Sequence, residues 1–146
     1  MAKLDSIRSV GFILSPRERL TKNLVAQGRL MEAEVEARAA LRTMLSRVGK
    51  YSYGTVKYTN NLANVIAAQG RYGDAQKLLH AVFEILGKLE APAGSAILAR
   101  ARVLSARMYA AAGDWPLAMS GYDAVKRNLA ENAAVFDELV ATQPDY

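Results

Sequence analysis

The chain has 146 residues and no cysteine, so disulfides and thiolate metal sites are excluded. It has one histidine, His80. A single imidazole with no acid pair near it does not build a metal site, and His80 reads as a surface or partly packed residue. No apolar run approaches the ~20 residues of a membrane span. Near the N-terminus the run Val10 to Leu14 is broken by Gly11 and is too short for a signal peptide. A soluble cytoplasmic protein is the expectation. Phosphate-cradling glycine loops and nucleophile–base signatures are missing as well. The adjacent acids Asp137 and Glu138 read as a solvated face, so no catalytic residue, cofactor or metal is assigned and enzymatic activity is not expected. Aromatic residues make up 8% of the chain and its basic residues are spread over several segments. Single-strand binders interleave cations with stacking aromatics, so nucleic acid is not expected as a partner. The net charge of +5 instead favours acidic partners.

What the chain does have is apolar residues, 51% of the total, with many alanines and only four prolines. That composition suits an all-helical protein with close helix crossings. One stretch, NNLANVIAAQGRYGDA from Asn60 to Ala75, organises the rest. An apolar helical run carrying Leu62, Ala63, Ile66 and Ala67 stops at Gly70, and a second helix starts near Tyr72 and Asp74. The same grammar occurs from Leu20 (LTKNLVAQGRLMEA) and from Ser105 (SARMYAAAGDWPLA). Aligning Gly28, Gly70 and Gly113 gives steps of 42 and 43 residues. Two before each glycine stand Ala26, Ala68 and Ala111, and four before stand Leu24, Ile66 and Tyr109. Two after stand Leu30, Tyr72 and Trp115, and five after stand Ala33, Ala75 and Ala118. A repeat of this period with two helical segments per unit is the signature of an α-solenoid. Tyr72 and Trp115 are expected to serve as packing residues at the turn.

These residues resemble the tetratricopeptide repeat, whose units carry small residues on the first helix, glycine then tyrosine at the turn, and alanine early on the second helix. The longer step and the NNLA opening at Asn60 are similar to the repeats of kinesin light chains and many bacterial relatives. The resemblance covers roughly Ser15 to Leu129. It implies an all-α solenoid of three helix pairs with a C-terminal capping helix or extension.

In chain order, residues 1–14 are an N-terminal arm or a short helix covering the first repeat. Ser15-Pro16-Arg17-Glu18 is a sharp helix start, with a capping serine and proline at the first helical position. Residues 15–142 form the repeat domain, with repeats at about 15–49, 53–91 and 95–130 and a capping segment at 131–142. Gly49 ends the second helix and Ala91-Pro92-Ala93-Gly94 breaks the chain again. Ser95 is expected to cap the fifth helix and Asp114 the sixth.

The resemblance further implies that the first helix of each pair lines a concave groove. Those helices carry Arg17, Glu18, Arg19 and Lys22, then Lys57, then Arg100, Arg102 and Arg107, for a net +6, whereas the helices from Leu30 and Tyr72 are neutral. Lys57, Asn60, Asn61 and Asn64 share one face by helical spacing. Arg100, Val103 and Arg107 match them in the third repeat, and Arg19 and Lys22 in the first. Asparagine amides donate to and accept from a peptide backbone, and arginine fits carboxylates bidentately. Compared with the carboxylate clamp of chaperone-binding repeats, Asn61 and Arg100 match. Lys22 stands for an asparagine, Glu18 for a lysine and Leu104 for the last cation, so a groove for acidic peptides is the closer analogy. The expected function is a protein-interaction module, scaffold or adaptor, binding an extended acidic segment of a partner protein. The alternatives are a self-associating structural domain, dimerising through Phe136, Leu139 and Val140, and a small chaperone for a secreted partner.

Overall fold

The computed structural model describes residues 15–131 and residue 133, and its described residues form helices and turns without a strand. Helix α1 is described over residues 15–26. It is followed by α2 (Leu30–Val48), α3 (Tyr53–Ala68), α4 (Tyr72–Lys88), α5 (Ala96–Ala111) and α6 (Trp115–Glu131). The chain divides into two compact units, the first ending at Leu89 and the second starting at Glu90.

The aligned glycines fall between the helices of each pair, and the backbone shows why they recur. Gly28, Gly70 and Gly113 have φ of 73°, 78° and 84°, a region that strains any residue with a Cβ. In the first turn Gly28 N–H donates to Val25 C=O at 3.0 Å and Arg29 N–H to Leu24 C=O at 2.9 Å. Gly70 to Ala67 with Arg71 to Ile66, and Gly113 to Ala110 with Asp114 to Tyr109, repeat the pattern. All are Schellman closures, which satisfy the last carbonyls of the first helix and launch the second. The repeated Leu24, Ile66 and Tyr109 are the residues whose carbonyls accept the bond that spans five residues in each pair.

In the first unit, α2 buries Ala33, Ala37, Ala40 and Met44, spaced to keep one face inward. That face packs on α3, where a Cβ at Gly54 would lie 2.8 Å from Met44 Sδ. Helix α3 starts at a cap in which Thr55 N–H donates to Ser52 Oγ at 3.1 Å. It buries Val56, Leu62, Ala63, Val65 and Ile66, and α4 answers with Ala75, Leu79, Val82, Ile85 and Leu86. In the second unit α5 packs on α6 at small residues, and a Cβ at Gly121 would lie 3.0 Å from Ala106 Cβ.

Some expectations change. Ser95 occupies the N-cap position of α5, but its hydroxyl makes no capping bond and is enclosed without a partner. The helix opens on its backbone carbonyl alone, to which Ala99 N–H donates at 3.1 Å. Asp114 does cap α6, accepting from Leu117 N–H at 3.3 Å. Tyr72 is partly buried, as a packing residue should be, yet its counterpart Trp115 is 62% exposed. Leu117, Met119 and Tyr122 are exposed on the same helix. Its buried residues, Ala118 and Val125, account for the inward side only. The N-terminal arm and Phe136, Leu139 and Val140 of the capping segment lie outside the described residues.

Candidate peptide-binding face

In the first unit the predicted site residues of α1 and α3 meet at Glu18. Lys57 Nζ lies 3.1 Å from Glu18 Oε2 and Lys22 Nζ 3.4 Å from Oε1, so each carboxylate oxygen takes one ammonium group. The lysine side chains are 66% and 53% exposed and the Glu18 side chain 15%. Burial pushes the Glu18 carboxyl up, but Lys57 and Lys22 together outweigh it and hold its pKa below the ordinary glutamate value. Burial first, and Glu18 second, push the Tyr58 phenol up to about 12. Lys57 Nζ also lies 5.6 Å from the centre of the Tyr58 ring, within cation–π reach.

Further along α3, Asn64 is exposed and Asn61 partly buried. Asn60, on the same predicted face, is partly buried, and its Oδ1 is enclosed without a hydrogen-bond partner. An enclosed oxygen cannot serve a ligand from that position, so the open amides are those of Asn61 and Asn64. Arg19 is exposed on α1.

In the second unit Arg100 and Arg107 are exposed on α5 and Val103 is partly buried. Leu104, which stands where a clamp would carry a cation, is buried together with Ala101, Ala106 and Met108. Core packing therefore accounts for that departure. Among the described residues no carboxylate lies within ion-pair distance of Arg19, Arg100 or Arg107.

A second polar cluster was not foreseen. Glu34, buried on α2, accepts from Gln69 Nε2 at 2.8 Å and Arg71 Nη1 at 2.9 Å, both from the α3–α4 turn, and from Arg38 Nε at 2.8 Å. The Gln69 amide, then Arg38 and Arg71, hold its pKa below the usual glutamate value against burial. The legible signal was the doubled Gln-Gly-Arg turn, each copy with an acid three residues beyond the arginine. Arg29 binds Glu32, as Arg71 binds Asp74.

His80 is exposed on α4. The described residues contain no cluster of potential metal ligands and no helix long and apolar enough to cross a membrane.

No family model and no curated protein matches the chain. Among solved structures, the TPR domain of Arabidopsis FLU is similar with a TM-score of 0.69 at 20% identity, over 82% of this chain and 96% of that one. The fold is the tetratricopeptide-repeat fold. BtubC (BKLC) from P. vanneervenii shares this TPR fold with a TM-score of 0.52 at 17% identity, over 94% of this chain and 68% of that one. At these identities the likeness is one of fold. It agrees with the repeated helix–turn–helix closures at Gly28, Gly70 and Gly113.

Proposed function

We propose that this protein is a protein-interaction module that binds an extended acidic segment of a partner through the first helices of its repeats. One observation carries the proposal: Arg19, Arg100 and Arg107, each with no carboxylate in ion-pair distance among the described residues, stand exposed on these helices, as does Asn64, with Asn61 partly buried on the same helix as Asn64. The amides hold the backbone of the segment and the guanidinium groups select its carboxylates. The chemistry is binding alone, with no catalytic step assigned to any residue.

Fluorescence anisotropy of a fluorescein-labelled hexaglutamate peptide, against a hexaserine control, tests this role. The acidic peptide is expected to bind and the control not to bind. The double change Asn61→Ala and Asn64→Ala is expected to weaken binding about tenfold, because it leaves ligand backbone groups unpaired. Equal binding of both peptides, or an unchanged affinity in the double variant, would remove this face from consideration.

A further inference from the structure

We propose that Lys22 and Lys57 form a carboxylate-binding site whose resident occupant is the chain's own Glu18, so that an acidic residue of a partner enters it by exchange with Glu18. The inference rests on the peptide-binding role above and adds a regulator of the same face.

The geometry is that of a bound ligand. Two ammonium groups arrive from different helices, one on each oxygen, at 3.4 Å and 3.1 Å. Lys22 is one turn along α1 from Glu18, but Lys57 lies 39 positions away on α3. A carboxylate that merely neutralised its own helix would not need the second partner. The lysines remain more than half exposed, so an incoming acid reaches them from solvent. Ion pairs with such exposed partners contribute little each, which makes displacement of Glu18 inexpensive.

Exchange has a specific consequence. In the wild-type protein a partner carboxylate at this point replaces an ion pair that already exists, so the net gain is small. Without the Glu18 charge the same carboxylate gains both lysines. Glu18 thus lowers the affinity of Lys22 and Lys57 for the carboxylates of an acidic segment.

The test uses the labelled hexaglutamate peptide with full-length wild type, Glu18→Gln, and Glu18→Gln combined with Lys57→Ala, each checked by thermal melting. Glu18→Gln is expected to bind about tenfold tighter than wild type at low salt, and Lys57→Ala in that background to cancel most of the gain. A Glu18→Gln affinity equal to or weaker than wild type overturns the proposal, as does a gain that survives loss of Lys57. Should Glu18→Gln fail to fold, Glu18→Ser is measured the same way with the same expected gain. The two ideas fail differently. If the Asn61/Asn64 double variant loses affinity while Glu18→Gln gains none, only the exchange site falls. If the Glu18→Gln gain appears but the asparagines have no effect, the exchange site stands and the backbone-holding role falls.

Discussion

Among the described residues every ion pair lies in the first unit, where Glu18 holds Lys22 and Lys57 and Glu34 holds Arg38 and Arg71. In the second unit α5 carries Arg100, Arg102 and Arg107 and has no acidic residue of its own. By count the first helices look uniformly basic. By contact they do not, because the first unit has already used its lysines internally. The difference shows that the charge available to a ligand is set by pairing, not by the total on a helix. It also separates two kinds of cohesion. The first unit combines branched and long apolar side chains with polar ties, whereas the second joins its helices at Ala106, Ala118 and Gly121 and leaves Trp115 and Met119 outside.

The largest effects expected from this contrast are on stability. Ala75 in the first unit and Ala118 in the second are both 0% exposed. Replacing either by leucine forces extra methylenes into a close crossing and should cost about 1–3 kcal/mol. Ala75 is followed by the fully buried Leu79 and Val82, which hold α4 in place. Helix α6 buries Ala118 and Val125 and can shift outward to relieve strain. Thermal melts should therefore show the greater loss for Ala75→Leu. Equal losses would mean that the second unit is packed as rigidly as the first.

The turn glycines, the spacing of the apolar residues and the repeat alanines made the fold legible, because each is fixed by local backbone geometry or helical periodicity. Leu30–Val48 follows directly from its glycine boundaries and its acidic-to-basic order. Side-chain events decided outside the repeat were less readable. Ser95 has a capping residue's identity but not its bond, and Trp115 has a packing residue's position but stands in solvent. At the candidate site, residue type and spacing nominated Lys57, Asn60, Asn61, Asn64, Arg100 and Arg107 as ligand contacts. They did not show that Asn60 encloses its amide oxygen or that Glu18 occupies both lysines. Those facts depend on contacts between residues far apart in the chain, which no helical period encodes.

The polar ties of the first unit give a second, smaller effect that depends on pH. Glu34 has its folded pKa depressed below the ordinary value of 4.5 by Gln69, Arg38 and Arg71. The sign follows from linkage: its contribution is present above the unfolded value and is lost as pH falls through the folded one. Glu34→Gln keeps an acceptor but loses the charge, and should lower stability by about 1–2 kcal/mol at neutral pH. The variant should also lose less than wild type on acidification below 4.5, since this carboxylate no longer takes up a proton. Urea midpoints on either side of that value measure both effects. An identical acid response in the two proteins would remove Glu34 from the account.

The smallest effect expected separates a paired cation from an unpaired one in binding hexaglutamate. Arg107 is exposed, with no acidic neighbour among the described residues, and Lys57 is engaged by Glu18. At low salt both Arg107→Ala and Lys57→Ala should slow association, because diffusional steering responds to net charge. The dissociation rates should differ. In the proposed binding mode Arg107 would meet a ligand carboxylate as a new pair, so its loss should speed dissociation about 2–5-fold. Lys57 offers only exchange with Glu18, so its loss should change dissociation by less than about 2-fold. Raising the salt to about 1 M shortens the screening length to about 3 Å and removes the steering term. The Arg107→Ala defect should then persist in part, while the Lys57→Ala defect vanishes. Stopped-flow measurement of both rates at two salt concentrations decides the matter. If Lys57→Ala speeds dissociation as much as Arg107→Ala does, pairing inside the first unit does not limit what its lysines offer a ligand.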